Sequence, residues 1–203
     1  MRKSDLDCLK NIPNIFTLVR GFSFIDNAVL KDNIALTMQY IMFLLAITQN
    51  HSLPGAVNFM VYKDMIIHTA SISESILCYA LETLIHEKRY TLEQLKLRES
   101  GKEYTEYQRY KNIGGIEVGI ITKCSKYISP QEAQFNQLIK AGTHIQLLKD
   151  DLCKELDALR ILRNNIHLGT LDDVDDSYTV EQVNAMFGTV KKLKQTMMNF
   201  LTQ

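Results

Sequence analysis

Apolar residues recur at helical spacing along most of the chain, and the places where that recurrence breaks divide it into elements. Residues 1 to about 50 read as two or three helices, the longest from about Ile25 to Gln49. The stretch HSLPG at 51–55 ends the pattern with a Pro-Gly turn. A long helix is expected next, from about Asn58 to Arg89, and Thr91 with a following acid resembles an N-cap with a capping box. The period then changes. KEYTEYQRYK and IEVGIITKCSKYI, within 102–128, are rich in Tyr and Ile and flank Asn112 to Gly115, which is a hairpin signal. Ser129-Pro130 with Glu132 opens another helix, and Gly142 is read as its break. A further helix is expected from about Lys149 to His167, with Gly169 as terminator. LDDVDDSYT reads as an acidic loop, and Thr179 as the cap of a last helix through Leu201. The sum is a mainly α chain with an inserted β-hairpin, divided into an N-terminal helical segment (1–54) and a helical domain (55–203).

Composition narrows the function classes. Lys+Arg and Asp+Glu both total 23, so the chain is formally neutral and has no bulk charge for coating nucleic acid; a small focused anion site remains open. Cys8, Cys78, Cys124 and Cys153 are far apart, form no CxxC pair and read as free thiols of a reducing cytoplasm. The N-terminal MRKSDLDCLKNIP has no apolar core of a signal peptide. The most apolar run, IALTMQYIMFLLAIT from Ile34, falls short of the roughly 20 residues that span a bilayer. It is therefore expected to be a core helix of a cytoplasmic protein, with no membrane partner. No cofactor or metal is expected. Asp172, Asp173, Asp175 and Asp176 have no histidine at ligand spacing and read as a solvated loop.

The chemistry concentrates in LRILRNNIHLG, residues 159–169. On a helical wheel with Leu152 at zero, Leu156, Leu159, Ile166 and Leu162 form one apolar arc, and Arg163 falls inside it at about 20°. Arg160 and His167 lie on the shoulder of that arc, at about 80° and 60°. A guanidinium on a core face calls for an acidic partner or a bound anion. By the same argument Arg160 can be a solvated charge, whereas Arg163 cannot. On the long upstream helix Glu74 falls between Leu81 and Ile85, also on the apolar face, while His68 and His86 fall on the outer side. Two charges of opposite sign on two core faces predict that the helices pack together with Glu74 in reach of Arg163 or Arg160. Ile161, opposite the core arc, would be a wasted apolar group in a monomer.

These residues resemble the Arg-Asn…His signature of the HEPN superfamily, the helical domains of prokaryotic toxins, anti-phage systems and several RNases. The order of elements over about 58–202 is similar too: a long helix with an inward glutamate, a hairpin, a short helix, the motif helix and a closing helix. Residues 1–54 lie outside the likeness. The spacing departs from the family pattern. Arg160 has six residues before His167 but is followed by Ile161, whereas Arg163 is followed by Asn164 with only three residues intervening. Both arginines stay candidates.

The resemblance implies a HEPN-like bundle, a homodimer with an active site composed from both protomers, and metal-independent endoribonuclease chemistry. In that chemistry the RNA 2′-hydroxyl attacks the adjacent phosphodiester, His167 carries the proton, and a guanidinium faces the developing phosphorane charge. Asn164 orients the imidazole or donates to phosphate. Two further readings stand beside it. In one, Arg163–Glu74 is a structural ion pair and His167 an end-of-helix cation. In the other, the domain is a non-catalytic dimerisation or partner-binding module, half of a defence or toxin–antitoxin pair.

Overall fold

The computed structural model describes residues 10, 12–99, 104–124, 126–164 and 178–201, with backbone pairing only for most of 104–124. It is mainly helical. The elements in chain order are α1 (Ile15–Arg20), α2 (Ala28–Asn50), α3 (Gly55–His86), α4 (Leu92–Leu95), β1 (Tyr104–Ile113), β2 (Ile116–Cys124), α5 (Phe135–His144), α6 (Asp150–Asn164) and α7 (Val180–Leu201). Helix α3 is the axis on which α2, α5, α6 and α7 pack.

The reason lies in its sequence. Met65, Ile66, Ala70, Ile72, Ile76, Leu77, Ala80, Leu81 and Leu84 are all buried along α3, and burying each large side chain stabilises by about 1.5–3 kcal/mol. Two hydroxyls on the same face are satisfied within the helix: Thr69 Oγ1 donates to Met65 O (2.6 Å) and Ser73 Oγ to Thr69 O (3.0 Å). The helix begins at Gly55 directly after Pro54, earlier than Asn58. It also ends earlier than Arg89, because Lys88 takes a left-handed φ of 58° and the Arg89 N–H turns back to Leu84 O (2.9 Å).

Helix α2 corrects the expectation of a core helix. Ile34, Ala35, Ile41 and Leu44 are buried, but Val29, Leu36 and Tyr40 are exposed, so it is a one-sided helix lying on α3. Among the described residues it is also the helix long and apolar enough to cross a membrane, with 22% of its most apolar window buried. Tyr40 fixes its position by donating to Asp64 Oδ2 (2.8 Å) and standing edge-on to His68 (5.2 Å). His68 is therefore half-buried between helices, whereas His86 is exposed as expected. Phe22, Ile25, Ile34 and Ile41 belong to the same continuous apolar core as the buried residues of α3 to α7, and Lys194 of α7 reaches over the Phe22 ring (5.3 Å).

Two turns differ from the sequence reading in detail. The box at Thr91 closes on Gln94, with Gln94 N–H donating to Thr91 Oγ1 (3.3 Å) and Thr91 N–H to Gln94 Oε1 (2.8 Å). Helix α4 then stops after four residues, at left-handed Lys96. Ser129-Pro130 opens a 3-10 turn, and α5 starts only at Phe135. Gly142 does not break that helix; it lies inside it. A Cβ there would stand 3.0 Å from Leu148 Cγ and Cδ1, so glycine is what allows the following loop to fold back onto α5. The end comes at Gln146 (φ 60°), and the N–H groups of Leu147 and Leu148 return to Gly142 O (2.8 and 3.1 Å).

Strands β1 and β2 pair antiparallel around Gly114 (φ 60°) and Gly115 (φ 85°), a two-residue turn whose positive φ values favour glycine at both positions. An irregularity falls between Arg109 and Lys111. The stem is tied to the body by an isolated Arg98–Tyr127 bridge, with Leu97 and Ile128 buried beneath it. Thr179 caps α7 as expected, accepting from Gln182 N–H (3.3 Å). Lys192 of that helix pairs across to α6, its Nζ meeting Glu155 Oε1 at 2.5 Å.

Candidate functional site

Helix α6 buries Leu152, Leu156 and Leu159 against α3, which sets the direction of everything else on it. Arg163 donates through Nη2 to Glu74 Oε2 of α3, joining residues 89 apart in sequence. The two expected core-face charges meet. The side chains are 32% and 28% exposed, so this is a pair at the rim of the core and not inside it.

For Arg160 the sequence leaves a solvated charge open. Its side chain is 23% exposed, less than that of Arg163, and its Nε donates to Asp157 Oδ1 (2.7 Å) one turn earlier. Both arginines line one cleft of about 420 Å³, together with Glu74, Gln134, Phe135, Asn136 and Asn164. Asn164 is exposed at its edge. His167, Ile166, Gly169 and the run Asp172, Asp173, Asp175, Asp176 lie outside the described residues. Ile161 is 52% exposed on the outer face of α6.

Gln134, Phe135 and Asn136 were not anticipated at the site. They form the first turn of α5, whose positive dipole end borders the cleft. A sequence reading that starts this helix at Ser129 gives these residues the wrong phase, so no wheel could have aimed them. Asp157 was legible in principle, as an acid three positions before an arginine on one helix.

A second cleft of about 390 Å³ lies behind Glu74, lined by Cys78, Glu82, Gln131 and neighbours. Burial, followed by the charges of Glu82 and Glu74, pushes the Cys78 thiol up to about 12, which rules it out as a ready nucleophile. Burial likewise raises the Glu82 carboxyl, against a hydrogen bond from Gln131 that lowers it. A larger cleft, about 590 Å³, opens between α6 and α7, but its Glu155 and Lys192 are spent on each other. Among the described residues no group of three or more His, Cys, Asp or Glu side chains converges to hold a metal ion.

Compared with family models, curated proteins and solved structures, the chain finds no match in any of the three. The site therefore rests on its own geometry.

The rim position of the ion pair sets an expected result. Breaking a buried pair costs roughly 3–5 kcal/mol and an exposed one about 0–1, so Glu74→Ala should destabilise by about 1–3 kcal/mol. Glu74→Gln keeps an acceptor for Arg163 and should cost less. Urea denaturation of the three proteins measures this; equal midpoints would show that the contact contributes nothing to the fold.

Proposed function

We propose that the cleft handles a phosphodiester and that the protein is a metal-independent endoribonuclease of HEPN type. The observation that supports this most directly is the convergence of Arg160, Arg163 and Asn164 on one open cleft, with the α5 N-terminus on its border. Two guanidinium groups beside a helix N-terminus suit the charge that develops on a phosphorane. His167 follows Arg163 by four residues, and continuation of α6 by one turn would carry it to the same edge.

On this reading the RNA 2′-hydroxyl attacks the neighbouring phosphorus and the 5′-oxygen of the next nucleotide leaves. The products carry 2′,3′-cyclic phosphate and 5′-hydroxyl ends. His167 carries the proton, and an arginine holds the phosphate oxygens. Two copies meet with their Arg160–His167 segments near the twofold axis, and the exposed Ile161 adds apolar surface to that contact, so that each site is composed from both protomers. The bundle with its inserted hairpin between α4 and α5 is then a HEPN-like domain, and residues 1–54 are an addition to it. The cytoplasm, an RNA substrate and an antitoxin or defence-system partner go with this reading; a membrane does not.

A second reading has one observation in its favour. Each arginine already has an acid, Glu74 for Arg163 and Asp157 for Arg160, so the cleft carries little unbalanced charge. That suits a non-catalytic dimerisation or partner-binding module. Purified protein incubated with total RNA in EDTA separates the two. Cleavage to cyclic-phosphate ends supports the nuclease, and intact RNA supports the module.

A further inference from the structure

The β1–β2 ribbon takes no part in the cleft, and its outer edges are open. Its strands have ten and nine residues, about 30 Å of chain each, against a usual length of about five or six residues. No third strand joins them among the described residues, and neither packs at length on any described helix. A two-stranded hairpin standing alone is marginally stable in water, so a ribbon of this length calls for a further strand. The two edges are not alike. β1 is irregular between Arg109 and Lys111, and such a kink turns an edge away from pairing. β2, IEVGIITKC, is continuous, has no proline and carries charge only at Glu117 and Lys123. At its turn end Ile116 is 70% exposed.

The positions of those two charges select a partner. When a strand pairs antiparallel with a second copy of itself, the twofold axis stands perpendicular to the sheet. Side chains alternate between the faces, so only positions an even number of residues apart can then lie opposite each other. Glu117 and Lys123 are six apart. Their midpoint is Ile120, which is also the midpoint of Ile116–Cys124. The register that sets Glu117 against Lys123 of the second copy, twice by symmetry, is therefore the one that pairs the strand over its whole length. It also brings the apolar positions Val118 and Ile120 to the centre of the contact, on the other face. β1 offers nothing comparable, since Glu106 lies three positions from Arg109 and five from Lys111, both odd. We propose that the outer edge of β2 is an interaction surface for a second copy of this chain, the two hairpins joining edge to edge in a four-stranded antiparallel sheet centred on Ile120. The contact stands apart from the nuclease reading and needs no active site.

Charge reversal tests this, because the two pairs are crossed. Glu117→Lys sets a lysine against Lys123 at both places, and Lys123→Glu sets a glutamate against Glu117. Within one hairpin these positions pair with Asn112 and Thr105, so neither variant brings like charges together inside a single chain. Self-association of the full-length proteins would be measured by sedimentation velocity over a concentration series in the micromolar range. The wild type should associate, and each variant should do so roughly 10- to 100-fold more weakly, since two attractive cross-strand pairs become repulsive. An equimolar mixture of the two variants should regain the wild-type affinity, because in the mixed pair every lysine again meets a glutamate. That recovery also separates the effect from misfolding of either variant. A wild type that stays monomeric throughout the series overturns the proposal, as does a mixture that associates no better than its components. Unchanged self-association of both variants overturns it too, and would leave a contact through the Arg160–His167 segments, and the nuclease reading with it, untouched.

Discussion

His167→Ala is expected to lower RNA cleavage by roughly 10²–10⁴-fold while the protein stays folded, the usual contribution of a positioned acid–base. Histidine is the side chain suited to taking and returning a proton in neutral solution. The buried side chains of α6 are Leu152, Leu156 and Leu159, all upstream of this position in the sequence. Thermal stability should therefore change little. Arg160→Ala is the informative companion: it removes a cleft donor whose only described partner is Asp157 on its own helix, and it should lose activity with its fold unharmed. Arg163→Ala should lose both, since it unpairs Glu74. Cleavage rates in EDTA, read by gel for each variant, decide the matter. Equal cleavage by wild type and His167→Ala would end the catalytic role of the histidine.

The largest stability effect is expected at Leu77. It is fully buried in α3, and a Cβ at Gly142 would lie 3.5 Å from its Cδ1 and 3.0 Å from Leu148, so it sits where α3, α5 and the return loop meet. Leu77→Ala leaves a hole that the glycine side cannot fill by a rotamer change. Cavities of this kind cost about 2–5 kcal/mol. For a chain of this size each kcal/mol lowers the melting temperature by roughly 2–4 °C. Chemical denaturation should show a lower midpoint at unchanged slope, the sign of lost stability and not of an altered unfolded state. A loss below about 1 kcal/mol would mean that the return loop collapses into the space.

What the sequence made legible was the part set by periodicity. The facing apolar arcs of α3 and α6 placed Glu74 and Arg163 together before any coordinates, because a charge on a core face has few places to go. The HSLPG break and the Thr179 cap depend on local backbone chemistry and came out in place. Gly142 misled because a glycine in a helix has two meanings, an end or a close approach, and only the position of Leu148 decides between them. The apolar content of α2 was legible, but its one-sided burial was not, since the outer stripe of Val29, Leu36 and Tyr40 has the composition of a core. Asn136 was out of reach for a different reason. Its place at the cleft depends on which turn of α5 borders the arginines, and the 3-10 turn at 130–132 shifts that phase.

The ion pair between Glu74 and Arg163 also governs when the cleft can exist. Its two walls belong to parts of the chain 89 residues apart. At roughly 5–20 residues per second, about 4 to 18 s of translation separate one wall from the other. Throughout that interval α3 can be helical, yet Glu74 has no Arg163 to face and the cleft has one wall. If the cleft cuts RNA, the ribosome making this protein is its nearest potential target, and chain topology alone keeps the unfinished enzyme from acting on it.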